Sequence, residues 1–187
     1  MGIKKERGRN MKKFALVIGH NPRGKGAYSE NLKLSEYNYW KNVCDEINEI
    51  DDSIDIYSRE AKKYYIEEMK PVVTEINNHN YDLVLELHFN SSDNNQANGC
   101  ECLIHSGNKI TKEISKDFLL ALNKEYNIRI RGVIEISNSK VRGGYGICNT
   151  KPDYILIEPF FGTNEESKKF EDIKKTAKFL VEFLKNI

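Results

Sequence analysis

The sequence has no apolar run long enough to cross a membrane. Its first such stretch, "FALVI" at residues 14–18, gives way at once to "GHNPRG". It also lacks the apolar segment and small-residue cleavage site of a secretory signal. Synthesis in the cytoplasm, without membrane insertion, is therefore expected. Glu6 stands where myristoylation of Gly2 would need Ser or Thr. The chain holds only four cysteines, Cys44, Cys100, Cys102 and Cys148. None forms C-x-x-C, and no Cys/His spacing matches a structural zinc site. Cys100 and Cys102 fall on one face of a predicted strand and are expected to be packing groups. There is also no large excess of either charge: 29 basic and 28 acidic side chains leave a net of +1, so bulk electrostatics give no reason to expect a nucleic-acid partner. The four prolines are scattered, and there are no repeats and no Pro/Gly/Ser linker. One domain, residues 13–187, is expected behind a basic tail, residues 1–12, that is expected to be disordered.

What is present alternates between strand and helix patterns. Strands are predicted at Phe14–Ile18, Ile54–Tyr57, Leu83–Phe89, Gly99–Ile104 and Tyr154–Glu158, with further extended pieces within Gly132–Ile136 and at Gly146–Cys148. Helices are predicted at Glu36–Ile50, near Tyr64–Asn78 with a kink or restart at Pro71, at Lys112–Tyr126 and at Glu165–Leu184. "TNEE" before the last of these reads as a capping box from Thr163 to Glu166. Phe170, Ile173, Ala177, Leu180 and Leu184 then follow on one stripe. Such alternation predicts an α/β fold, a parallel or mixed sheet with helices on both faces.

Three predicted strands end on an ionisable residue: "FALVIGH" on His20, "DLVLELH" on His88 and "YILIE" on Glu158. In open α/β sheets, ligands bind beyond the carboxyl ends of the strands. Glu36 joins them because it shares the apolar helical stripe of Trp40, Val43, Ile47 and Ile50. A carboxylate on an inward stripe needs a cation, either a basic side chain or a metal. Two imidazoles and a carboxylate form a His₂Glu catalytic zinc set, with a position open for water. A further carboxylate must then move the proton, and Glu158 is available for it. Glu86, on the strand face of His88, can support that ligand. The segment "GHNPRGKG" matches part of a phosphate-binding loop. But Gly26 follows Lys25 where Ser or Thr is required, and no helix begins there, so a loop over the rim of the site is expected instead. His79 and His105 are expected to have no role in the site.

The blocks "VIGHNPRGKGA", "SEYNYWKNV", "DLVLELHFNSS", "GCECLIHSG" and "ILIEPFFGTNEES" resemble, in order, those of the zinc-dependent N-acetylmuramoyl-L-alanine amidases of the Amidase_3 type, and among them the catalytic domains of clostridial-type phage endolysins. The resemblance implies a three-layer α/β/α domain with a mixed, mostly parallel sheet of about six strands. It implies one Zn²⁺ held by His20, Glu36 and His88, with Glu158 as the catalytic glutamate. The substrate it implies is peptidoglycan, cleaved between muramic acid and L-alanine. A zinc peptidase acting on another bond, and a non-catalytic peptidoglycan-binding protein, are the competing readings. Asn90, Glu101, Arg142, Asn149 and Lys151 are candidate substrate contacts. The chain departs from the family in reading "GHNP" for G-H-G-G and in carrying Glu86 where many members have serine. No separate wall-binding module is visible. An endolysin-like enzyme without an export signal is expected to reach the wall after the membrane is permeabilised.

Overall fold

The computed structural model describes residues 12–187; the expected tail lies, up to residue 11, outside the described residues. The strands are β1 (Phe14–Ile18), β2 (Tyr28–Ser29), β3 (Leu34–Ser35), β4 (Asp55–Tyr57), β5 (Leu83–Leu87), β6 (Cys100–His105), β7 (Ile130–Ile136) and β8 (Tyr154–Glu158). The helices are α1 (Glu36–Ile50), α2 (Tyr65–Ile76), α3 (Lys109–Tyr126), α4 (Gly144–Asn149) and α5 (Ile173–Lys185). Six of the strands form one sheet in the order β4-β1-β5-β8-β6-β7, while β2 and β3 pair separately. Strands β4, β1, β5 and β8 run parallel. β6 runs antiparallel to β8, and β7 follows β6.

The period-2 alternation of the strands divides the core into two layers. Leu16 and Ile18 of β1, Leu85 and Leu87 of β5, and Ile155 and Ile157 of β8 face the layer built by α1, α3 and α5. Ala15 and Val17, Val84, Tyr154 and Leu156 face the layer of α2 and α4. The domain is thus a three-layer α/β/α sandwich with a mixed, mostly parallel sheet. Both faces of β1, β5 and β8 are buried, which is why their sequences read as apolar runs, interrupted only by Glu86 in β5 and closed by Glu158 in β8. Cys100 and Cys102 are buried free thiols on the α1/α3/α5 side.

Four local expectations are corrected. Gly146–Cys148 is not extended; it lies in the short helix α4, where Gly143, at φ +67°, starts the turn. The segment Glu165–Leu184 is not one helix. A 3-10 turn at Glu165–Phe170 precedes α5, and Asp172 caps α5 by accepting from the Lys175 amide. Thr163 is not the cap: the Asn164 side chain accepts from the Glu166 amide, and the Glu166 carboxylate instead accepts from the Gly99 amide at 2.6 Å. Finally, of the kink or restart expected at Pro71, the restart does not occur: α2 continues through it. A proline deprives a helix of one donor, and here packing of Met69, Val72, Val73 and Ile76 in the core outweighs that loss.

Candidate metal centre and catalytic cleft

Parallel β1, β5 and β8 bring their carboxyl ends to one edge. There a cleft of about 650 Å³ is lined by His20, Glu36, His88 and Glu158 together. Each is delivered by a strand end except Glu36, which opens α1. Ser35 caps that helix by accepting from the Asn38 amide. The turn after β1 is not a phosphate cradle. Asn21 Oδ1 accepts from the Arg23 and Gly24 amides and closes the turn on itself. The Gly24 carbonyl lies 3.2 Å from His20 Nδ1, which leaves Nε2 facing Glu36. The loop then packs on the start of α1, where the Glu36 and Tyr37 amides donate to the Ala27 and Lys25 carbonyls.

Glu36 is the centre of the arrangement. Its Oε1 lies 2.9 Å from His88 Nδ1 and accepts from the Phe89 amide; its Oε2 lies 3.1 Å from His20 Nε2 and accepts from the Ala27 amide. Burial alone would raise its pKa. The bonds to His20 and His88 overcome that and hold it at about 2. On the other side of the His88 ring, Nε2 lies 3.1 Å from Glu86 Oε1. Glu86 is fully buried and accepts from the Tyr154 hydroxyl at 2.8 Å. Burial lowers the His88 pKa, but the two carboxylates raise it to about 10. Glu86 therefore orients the ring and fixes which nitrogen turns toward Glu36 and His20.

One ligand atom from each of His20, Glu36 and His88 lies within 4.8 Å of the others. Nitrogen and oxygen donors at this spacing suit a divalent transition metal. The backbone keeps that space clear. Gly26 has φ +73°, and a Cβ there would fall 2.6 Å from Glu36 Oε2 and 2.8 Å from His20 Nε2. At Gly19 a Cβ would run into the His88 imidazole. The residues present thus fit a metal of the zinc type.

Glu158 is 4% exposed, and its Oε2 has no hydrogen-bond partner among the described residues. Burial raises its pKa to about 7, against the pull of His88 and Arg142. Its Oε1 lies 3.5 Å from Arg142 Nη2. Antiparallel β6 places Glu101 directly opposite Glu158. Glu101 in turn binds Arg131 at 2.6 Å, Arg142 at 2.9 Å and the Asn90 side-chain amide at 2.8 Å. The Glu101 pKa is lowered: burial opposes this, and these partners prevail. Asn90 and Arg142 line the cleft. Asn149 and Lys151 do not; they join α4 to α2, with the Asn77 side chain donating to the Asn149 carbonyl and accepting from the Lys151 amide. His79 pairs with Glu75, and His105 is exposed at the end of β6.

The profile of the N-acetylmuramoyl-L-alanine amidase family matches residues 15–182. The chain belongs to that family. None of the curated proteins compared with it matches significantly. Among solved structures, the catalytic domain of the CD27L endolysin targeting Clostridia difficile is similar at 25% identity, over 94% of this chain and 98% of that one, with a TM-score of 0.74. The CwlD amidase of Clostridioides difficile, solved in complex with the GerS lipoprotein, shares the fold at 18% identity, over 94% and 95% of the two chains, with a TM-score of 0.75. Cwp6 from Clostridium difficile shares it at 21% identity and a TM-score of 0.74; the match covers 95% of this chain and 29% of Cwp6. As a member of the amidase family, the protein is a hydrolase acting on peptidoglycan.

Sequence reasoning missed two basic residues: Arg59, which lines the cleft, and Arg131, which binds Glu101 beside it. Arg59 lies just beyond β4, and Arg131 lies near the start of β7. Arg59 stands past the carboxyl end of a parallel strand, a position that carries ligands in such sheets, so a signal for it existed. Arg131 had none, because it reaches the edge only through the reversed direction of β6 and β7.

Proposed function

We propose that this amidase is zinc-dependent, with His20, Glu36 and His88 as the three protein ligands and Glu158 as the general base and acid. The observation that carries the reading is the buried Glu158 carboxylate, whose Oε2 is unpartnered in the cleft that holds the His/Glu/His set. When bound, zinc acts as a Lewis acid, bringing the pKa of water to about 7 and polarising the scissile carbonyl. Glu158 Oε2 is free to accept a proton from the attacking water and to return it to the departing L-alanine nitrogen. Its burial keeps it basic enough for the first transfer and acidic enough for the second. Asn90 and Arg142, joined to Glu101, hold the wall beside Glu158. The place of action is the cell wall, reached in this reading once the membrane is permeabilised.

Two measurements test the proposal. Mass spectrometry of digested peptidoglycan is expected to show new free L-alanine amino termini; other new termini would favour a zinc peptidase, and none a binding protein. Metal analysis is expected to find one zinc per chain in the native protein and loss of zinc together with activity in His88→Ala. Full zinc occupancy in that variant would remove His88 from the ligand set.

A further inference from the structure

Four basic residues line the cleft: Arg23, Arg59, Lys140 and Arg142. Arg142 is committed to Glu101, and Arg23 lies 3.6 Å from Glu68. Lys140 is exposed. Arg59 differs from all of them. It is only 5% exposed, and among the described residues it makes no ion pair and no hydrogen bond, with Nε buried and unpartnered. Its guanidinium rests on the Tyr65 ring, 5.2 Å from the centroid, a contact that steadies the plane without using an N–H group. A buried guanidinium with unused donors is costly, and the fork it presents fits a carboxylate bidentately. A residue so placed is built to be completed by an anion that arrives in the cleft.

The substrate chemistry says where that anion lies. In an N-acetylmuramoyl-L-alanine linkage the lactyl carboxyl of the sugar is consumed in the scissile amide, so that end is uncharged. Every carboxylate of the substrate belongs to the peptide. The first after L-alanine is the α-carboxyl of D-glutamate, which continues the stem through its γ-carboxyl and which some walls convert to a carboxamide. We propose that Arg59 is a specificity-determining residue that binds a stem-peptide carboxylate, the D-glutamate α-carboxylate being the nearest candidate, so that the enzyme favours walls in which this group is not amidated. This rests on the amidase reading above. Arg59 has a second, structural neighbour: its charge is felt by buried Glu86. If balancing Glu86 were its only task, the loss of Arg59 would disturb His88 and all substrates alike.

The test compares N-acetylmuramoyl-L-alanyl-D-glutamate with N-acetylmuramoyl-L-alanyl-D-isoglutamine, which differ by one carboxylate against one carboxamide. Hydrolysis is followed with the zinc-loaded enzyme, and binding by calorimetry with Glu158→Gln. The native enzyme is expected to favour the carboxylate form by about tenfold to a hundredfold in kcat/KM, as expected for hydrogen bonds to a charged group. Arg59→Gln is expected to erase that preference by raising KM for the carboxylate form alone, with zinc content unchanged. Arg59→Lys keeps the charge without the fork and is expected to keep part of the preference. Equal treatment of the two compounds by the native enzyme, or an equal loss for both in Arg59→Gln, would overturn the proposal. Should Arg59→Gln fail to fold, the native comparison and Arg59→Lys decide it. Hydrolysis of neither compound would count against the amidase reading, while the binding comparison would still decide the role of Arg59.

Discussion

At the scale of single residues, two carboxylates lining the same cleft, one opening α1 and the other ending β8, behave oppositely. Glu36 and Glu158 are almost equally buried, yet one is held at about 2 and the other rises to about 7. The difference lies in their partners. Two imidazoles and two backbone amides saturate Glu36, whereas Glu158 has a single long contact to Arg142 and a bare Oε2. The first environment suits the ligand proposed for Glu36 and the second the proton carrier proposed for Glu158. Glu158→Gln keeps the shape and removes the basic oxygen. It is expected to lower kcat by a factor on the order of 10²–10⁴ while retaining the native zinc content by metal analysis. Zinc loss in this variant would make Glu158 a ligand. Unchanged activity would pass the proton role to another group, with Glu86 the first to examine.

At the scale of elements, the site depends on how closely the β1–α1 connection approaches the start of α1. Gly26 and Gly24 provide a matched pair. Gly26 holds φ +73° against Glu36 and His20, whereas a Cβ at Gly24 would meet only Asn21 side-chain atoms, at 3.7 Å and beyond. Gly26→Ala is expected to weaken zinc binding by about 10–100-fold, the usual cost of disturbing what supports a ligand, measured by competition with a chelating dye. Gly24→Ala is expected to bind zinc as the native chain does. Equal effects of the two would show that the loop does not shape the centre. The elements most legible in the sequence were those with a long, regular period: the apolar β1, β5 and β8, and the α1 stripe that carries Glu36 inward. Helix α4 was not legible, because six residues with two glycines carry too short a period to separate from a strand. Nor was the division of the last helix, since Phe170 continues the apolar stripe across the break at Asp172. The meeting of His20, Glu36 and His88 could be read because each ends a strand or opens a helix. The Arg131–Glu101–Arg142 group could not, because it forms only when β6 reverses direction beside β8, a fact of pairing that no local pattern contains.

At the scale of the whole molecule, the catalytic edge should cost stability. A carboxyl whose folded pKa is raised binds protons more tightly in the native state than in the unfolded chain. Between the unfolded value near 4.5 and the folded value of about 7, the native state therefore holds the extra proton, and stability falls as pH rises through that window. Above it the full penalty of burying the Glu158 charge is present; below it the penalty is absent. Glu36, Glu86 and Glu101 are shifted the other way and lose stabilisation as pH falls, so the pH curve of the native protein alone mixes both signs. Comparing native and Glu158→Gln apoproteins cancels the common groups. With metal removed by a chelator, Glu158→Gln is expected to be the more stable protein at pH 8, by on the order of 1–3 kcal/mol. In a domain of this size that is several degrees in Tm, at about 2–4 °C per kcal/mol. The gap is expected to close as pH falls toward 4.5, where Glu158 is protonated and resembles the glutamine that replaced it. Zinc is expected to narrow the gap at pH 8 as well, because a bound cation stabilises the ionised carboxylate in the native state only. Thermal melts of the two apoproteins across this pH range decide the matter. A gap that stays constant with pH, or a native protein that gains stability over the variant as pH rises, would show that burial does not raise the Glu158 pKa and would count against the base proposed here.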